Sequence, residues 1–188
     1  MAAALVALVS LAGAALALGA TKTKTFSAGH FAKGVPNDGA LSKSLKVKKK
    51  GKIKDVNVTV ALSTNENDDY DFYVVGPGGQ VVQLSTGNGL SGSGYGGTGD
   101  LDCADPADTV TFDDEAAENI DDFEGINKVF SGPYQPEGRD EVTGQFGLNS
   151  LDGKQLKGTW RLIVGDNEEI GAGTVQCFKV TAKYRKQK

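Results

Sequence analysis

Histidine is nearly absent from this chain: His30 is the only one in 188 residues. A Ser-His-Asp triad needs a histidine as the base that takes the nucleophile's proton. His30 stands in Ser27-Ala28-Gly29-His30-Phe31, and no Gly-x-Ser-x-Gly elbow occurs in the chain. No stretch resembles the aspartate, histidine and serine motifs of subtilisins. The sequence therefore predicts His30 as an exposed or partly packed side chain on the first strand, and no catalytic residues. Cysteine is scarce too. Cys103 and Cys177 are the only two, and with one histidine they fall short of a four-ligand zinc set and of a thiol paired with its base. Basic residues are missing over a long stretch: Asp55 to Asn127 holds no Lys or Arg but sixteen Asp and Glu. The lysines gather instead in Lys43 to Lys54, seven in twelve residues. No aromatics are interleaved with them and no nucleic-acid motif is present, which argues against DNA or RNA as a partner. Two readings of this segregation stand. One is a solvated lysine strand and a solvated acidic loop; the other is a polar surface that docks an anionic partner at one end or a cation at the other.

What is abundant is glycine, 26 residues, together with short runs that alternate apolar and polar. That combination predicts an all-β domain with many turns. Val56, Val58, Val60 and Leu62 repeat with the period of two of a half-buried strand, and Tyr70, Phe72 and Val74 do the same. Pro77-Gly78-Gly79 supplies a hairpin turn to a partner strand in 80–84, since glycine reaches positive φ cheaply. Trp160, Leu162 and Val164 form the inward face of another strand, and Phe178, Val180, Ala182 and Tyr184 that of the last. Val175 and Cys177 fall on the opposite parity, which predicts a bulge near Gln176 or a strand buried on both faces. Residues 87–99 read as loop, and 148–158 as holding one helical turn. About eight antiparallel strands in two sheets suit a jelly-roll-like β-sandwich. Residues 2–20 are almost wholly Ala, Leu, Val and Gly and end in small residues, so 1–20 reads as a secretory signal peptide and 21–188 as the mature domain, outside the cytoplasm. An uncleaved anchor is the other reading of that stretch; nothing else in the chain is apolar and long enough to cross a membrane.

Motifs in order add a family resemblance. Val35-Pro36-Asn37-Asp38-Gly39, the strand 53–62, Asp71-Phe72-Tyr73-Val74-Val75-Gly76-Pro77-Gly78-Gly79, Thr109-Val110-Thr111-Phe112-Asp113-Asp114-Glu115-Ala116, Gly132-Pro133-Tyr134-Gln135-Pro136 and Gly158-Thr159-Trp160-Arg161-Leu162 through Gly173-Thr174-Val175-Gln176-Cys177-Phe178 follow one another along the chain. Their order and spacing resemble the P domain of proprotein convertases, over residues 35–182. There are departures: Gly76-Pro77 stands where the family has serine-proline, Phe178 stands where its last strand has tryptophan, and the acidic loop 100–108 is an elaboration. The resemblance implies a β-sandwich that packs on a subtilisin-like protease, stabilises it and tunes its response to calcium and pH. A stand-alone copy is expected to act on a separate protease or as an extracellular binding or adhesion module.

Two further expectations concern particular residues. In a secreted chain Cys103 and Cys177 most simply pair with each other, with two free thiols or an intermolecular bond as the alternative. Asp68, Asp69 and Asp71 precede a strand while Asp113 and Asp114 follow one. If the sheets bring those ends together, the carboxylates converge and a structural calcium ion relieves their repulsion; otherwise they point to solvent. Calcium binding by bacterial members of the family favours the first outcome. No EF-hand loop is present, because 65–69 lacks the central glycine and the final glutamate. A carbohydrate-binding module is the rival function. It needs Tyr70, Tyr73, Tyr95 and Tyr134 on one exposed face; the competing reading puts Tyr70 and Trp160 in the core and Tyr95 at a loose loop tip.

Overall fold

The alternating run at 56–62 forms the central strand of the molecule. The computed structural model describes residues 20–138, 147–169 and 171–186; the apolar segment 1–19 lies outside the described residues. Eleven strands are formed: β1 (Thr21–Ser27), β2 (Lys33–Gly34), β3 (Gly39–Val47), β4 (Lys52–Ser63), β5 (Tyr70–Val75), β6 (Val81–Ser85), β7 (Gly96–Gly97), β8 (Val110–Phe112), β9 (Gly132–Tyr134), β10 (Gly158–Asp166) and β11 (Thr174–Arg185). One sheet runs β1-β11-β4-β8-β9, with β2 added to β11 and β7 to β4; the other runs β3-β10-β5-β6. Among the described residues helix is confined to 3-10 turns at Pro106–Asp108, Ile120–Phe123 and Leu148–Leu151.

The strand parities read from the sequence hold. Val56, Val58, Val60 and Leu62 of one sheet meet Phe72, Val74, Trp160, Leu162 and Val164 of the other in one buried cluster. This is the two-layer solution that period-two amphipathic strands require. Trp160 satisfies its indole N–H with the Leu156 carbonyl at 3.1 Å, so its large apolar surface is buried without an orphan donor. At β11 the register shifts between Val175 and Cys177. The extra residue lets Val175 and Phe178 both face the core while Cys177 turns to the outer face, which is the work of a β-bulge. On that outer face Ala61, Leu101 and Cys177 form a second, small apolar cluster. The acidic loop 100–108 thus covers a sheet face. It is fastened by the Cys103–Cys177 disulfide, with Cα atoms 5.7 Å apart, and by the buried Gln176, whose amide donates to the Gly99 carbonyl and accepts from the Leu101 N–H at 2.8 Å.

Three expectations need correction. Among the described residues there are eleven strands rather than about eight, because β2 and β7, of two residues, and β8 and β9, of three, add short pieces to the longer pairs. Not all pairing is antiparallel: β4 with β7 and β8 with β9 are parallel. The second of these needs a crossover, and the chain between Phe112 and Gly132 is long enough to provide it. Residues 87–99 are not plain loop. They contain β7 and the wholly buried Tyr95. Their glycines serve close backbone approach: a Cβ on Gly94 would lie 1.9 Å from the Gly97 carbonyl oxygen, and one on Gly96 2.0 Å from that of Asp108.

Candidate functional site

His30 lies in the turn between β1 and β2, not on a strand. Its Nε2 is 3.1 Å from Gln176 Oε1 and 3.2 Å from Asp100 Oδ1. Neither partner is a serine or cysteine. Asp100 is almost fully exposed, so the contact is a surface polar contact of small energetic weight. Both cysteine sulfurs are consumed in the disulfide. The polar contacts of the His30 ring are thus an amide and an acid.

The five carboxylates expected around calcium are separated by the sandwich itself. Asp71 lies between the inward-facing Tyr70 and Phe72, so its side chain leaves the outer face of the β5 sheet, where Asn167 donates to it at 2.9 Å. Asp113 follows β8 on the other sheet and accepts from Asn57 Nδ2 at 2.8 Å; Asn57 alternates with the buried Val56 and Val58 and so faces outward there. The core therefore stands between the two groups. Asp114 is engaged by backbone: the N–H groups of Leu148 and Asn149 donate to its two oxygens at 2.9 and 2.5 Å. Burial pushes the Asp114 carboxyl up from its usual range, those two N–H groups pulling the other way. Asp69 sits instead in an acidic group with Asp68, Asp166, Glu168 and Glu66. Its pKa is pushed up to about 6, first by burial and then by those four charges. Among the described residues no group of three or more His, Cys, Asp or Glu side chains is placed to hold a metal ion. As arranged, Asp68, Asp69, Asp71, Asp113 and Asp114 do not fit a single calcium site.

The tyrosines do not make a sugar platform. Tyr70 and Tyr95 are wholly buried and Tyr134 nearly so, which leaves Tyr73 as the one partly exposed ring of the four. Tyr95 is the opposite of a loop tip. Its ring lies between Phe72 and Phe130, with centroids at 4.5 and 4.9 Å, and its hydroxyl pairs with Ser85 at 2.9 Å. Two polar residues that the sequence reading missed hold this end together. Glu137 accepts from the Thr86 N–H at 2.5 Å, the Thr86 hydroxyl at 2.8 Å and the side-chain amides of Gln83 and Asn88. Asn67, fully buried, accepts from Gly94 N–H and donates to the Lys128 carbonyl, each at 2.7 Å. An isolated Pro-Glu-Gly or Glu-Asn-Asp offers no pattern to flag either role.

The charges read from the sequence are partly mixed in space, since Asp152 stands within reach of both Asp55 and Lys54, but the two ends of β10 still differ in sign. β10 begins at Gly158 opposite Val47, beside the lysine-rich turn, and ends at Asp166 opposite Gly39 and Tyr70. At the first pole Lys52, Lys154 and Lys157 line a shallow cleft of about 360 Å³ with Pro77, Gly78 and Gln80. At the second, Asp69 and Asp166 stand with Glu168. A nine-residue strand puts the poles about 26 Å apart.

No family model matches the chain, and no curated protein matches it. Solved structures do. The chain is similar to part of the crystal structure of the Aeromonas sobria serine protease and chaperone complex, at 15% identity and a TM-score of 0.51, over 89% of this chain and 27% of that one. It is also similar to part of the crystal structure of the serine protease of Aeromonas sobria, at 14% identity and a TM-score of 0.49, over 88% of this chain and 27% of that one. The chain spans about a quarter of the length of each chain it matches. The first likeness shows the fold, an all-β sandwich of two sheets.

Proposed function

We propose that this chain is a secreted, non-catalytic accessory module that acts by docking to another extracellular protein, and that its partner is a subtilisin-like serine protease. The observation that carries the reading is the span of the structural likeness. Nearly the whole sandwich, 89% of the chain, matches only 27% of a chain in the serine protease and chaperone complex. The sandwich described here corresponds to a minor part of the longer chain it resembles. The motif order from 35 to 182 that resembles a P domain supports the same reading. The contacts of His30, to Gln176 and Asp100, are compatible with it. The disulfide that pins the 100–108 loop suits an oxidising compartment, and with the apolar segment before Thr21 it supports secretion. The sugar-binding alternative loses its support with the burial of three of the four tyrosines.

The test is calorimetric titration of the chain into a subtilisin-like catalytic domain that lacks an accessory module of its own. A saturable one-to-one heat is expected, and the chain alone should release no product from casein or a fluorogenic peptide library. The absence of any heat across several such catalytic domains would remove the protease from the reading.

A further inference from the structure

Among the described residues only three large apolar side chains are exposed: Leu90 at 39%, Ile126 at 51% and Val129 at 47%. Scattered singly they would mean nothing. They are not scattered. Leu90 lies between Gly89 and Ser91, and that loop is bonded to 123–128. Gly89 N–H donates to the Phe123 carbonyl at 3.2 Å, Lys128 N–H to the Gly89 carbonyl at 3.4 Å, and the Ser91 hydroxyl to Asn127 at 3.2 Å. The three exposed residues therefore sit on two loops that are joined side by side.

The patch is built rather than loose. Buried Asn67 ties Gly94 to Lys128 across it. Phe123, Phe130 and Tyr134 pack edge to face beneath it. Leu90 is held at φ +41°, a left-handed conformation that costs a bulky side chain strain, and its carbonyl accepts from the N–H groups of Asn67 and Asp68 at 2.9 and 3.3 Å. The fold thus tolerates strain at a residue that it leaves partly exposed. Strain of this sort gathers where surfaces have work to do.

The rim is acidic. Asp121, Asp122 and Glu124 are exposed beside Ile126. The one cation in these loops, Lys128, is turned inward, with Nζ 3.2 Å from the Phe123 ring centroid and 3.6 Å from Glu118. An apolar centre inside a charged rim is the form of a protein-binding hot spot, and a rigid one loses little entropy on binding. We infer that the Leu90–Ile126–Val129 patch is a docking surface for a protein that presents an apolar side chain flanked by lysine or arginine. The inference rests on the reading that the chain acts by docking, and it names the face that docks.

The chemistry can be probed without a protease, so this inference and the proposed partner fail separately. The full chain is titrated with labelled twelve-residue peptides that alternate Leu with Lys, Ser with Lys, or Leu with Glu. The Leu-Lys peptide should bind at least tenfold more tightly than either control. Ile126→Ser with Val129→Ser should lower its affinity at least tenfold, and Lys154→Glu at the far pole should leave it unchanged. Leu90→Asn separates a docking role from a structural one. Asparagine accepts the left-handed backbone, so the melting temperature should stay level or rise while affinity falls severalfold. Equal binding of the Leu-Lys and Ser-Lys peptides would overturn the inference, as would unchanged affinity in the Ile126/Val129 variant. A concentration-dependent dimer that the same substitutions abolish would overturn it in favour of a second copy of this chain.

Discussion

Replacing Asp69 with asparagine should stabilise the protein at neutral pH and do nothing in acid. Asp69 is half-buried, and its pKa rises from 3.8 to about 6 because burial, Asp68, Asp166, Glu168 and Glu66 all disfavour its charge. A carboxyl whose pKa is raised on folding favours the folded state while it is protonated. That contribution is complete below about pH 3.8 and is lost as the pH rises through about 6. Two units would amount to about 3 kcal/mol if the charge were sealed from water. Asp69 is open to solvent on one side, and screening reduces this to about 1 kcal/mol. Asp69→Asn keeps the backbone carbonyl that accepts from Asn167 N–H at 2.9 Å, so the loop contact survives. At pH 7.5 the variant should therefore gain about 1 kcal/mol, or about 2–4 °C in melting temperature. The two curves should converge near pH 4. Thermal unfolding from pH 4 to 8 reads this out. A variant that is less stable at pH 7.5, or a difference that does not change with pH, would refute the electrostatic account of this pole.

Other substitutions follow from the same geometry. Removing the disulfide with Cys103→Ser and Cys177→Ser opens a loop of 74 residues and should cost about 4 kcal/mol by the chain-entropy argument, measured by denaturant unfolding. Gly96→Ala forces a Cβ to within 2.0 Å of the Asp108 carbonyl at φ +105°; a loss of about 3 kcal/mol is expected in the same assay, and a neutral result would mean that the 94–97 backbone shifts freely. Glu137→Gln replaces a carboxylate that accepts from four donors with a group that must turn a donor toward them. It should cost about 2–3 kcal/mol and increase amide exchange at Thr86.

The strands were legible in the sequence because alternation is a local signal. Trp160, Leu162 and Val164, or Phe178, Val180 and Ala182, declare their buried face without reference to any neighbour. The bulge at Gln176 was legible for the same reason, as a break in parity. What escaped were relations between segments distant in the chain. Asp71 and Asp113 are both acids at strand ends, but whether strand ends meet depends on sheet assignment. The two fall on opposite outer faces, with Asn167 and Asn57 as their separate partners. Tyr95 sits among glycines and serines, so its run reads as loop; its burial comes from Phe72 and Phe130, which converge from other parts of the chain. Glu137 and Asn67 are single polar residues whose partners lie 49–54 and 27–61 positions away. No spacing rule reaches that far.

The claim that the chain works by docking to a protease, and not by catalysis of its own, meets its most direct test in the heat-inactivation half-life of a subtilisin-like catalytic domain measured with increasing amounts of this chain. The half-life should lengthen and saturate near one equivalent, because binding to the folded state alone slows its loss. The chain carrying His30→Ala should protect as well as the original. An unchanged half-life, or casein turnover by the chain alone that His30→Ala abolishes, would contradict the account.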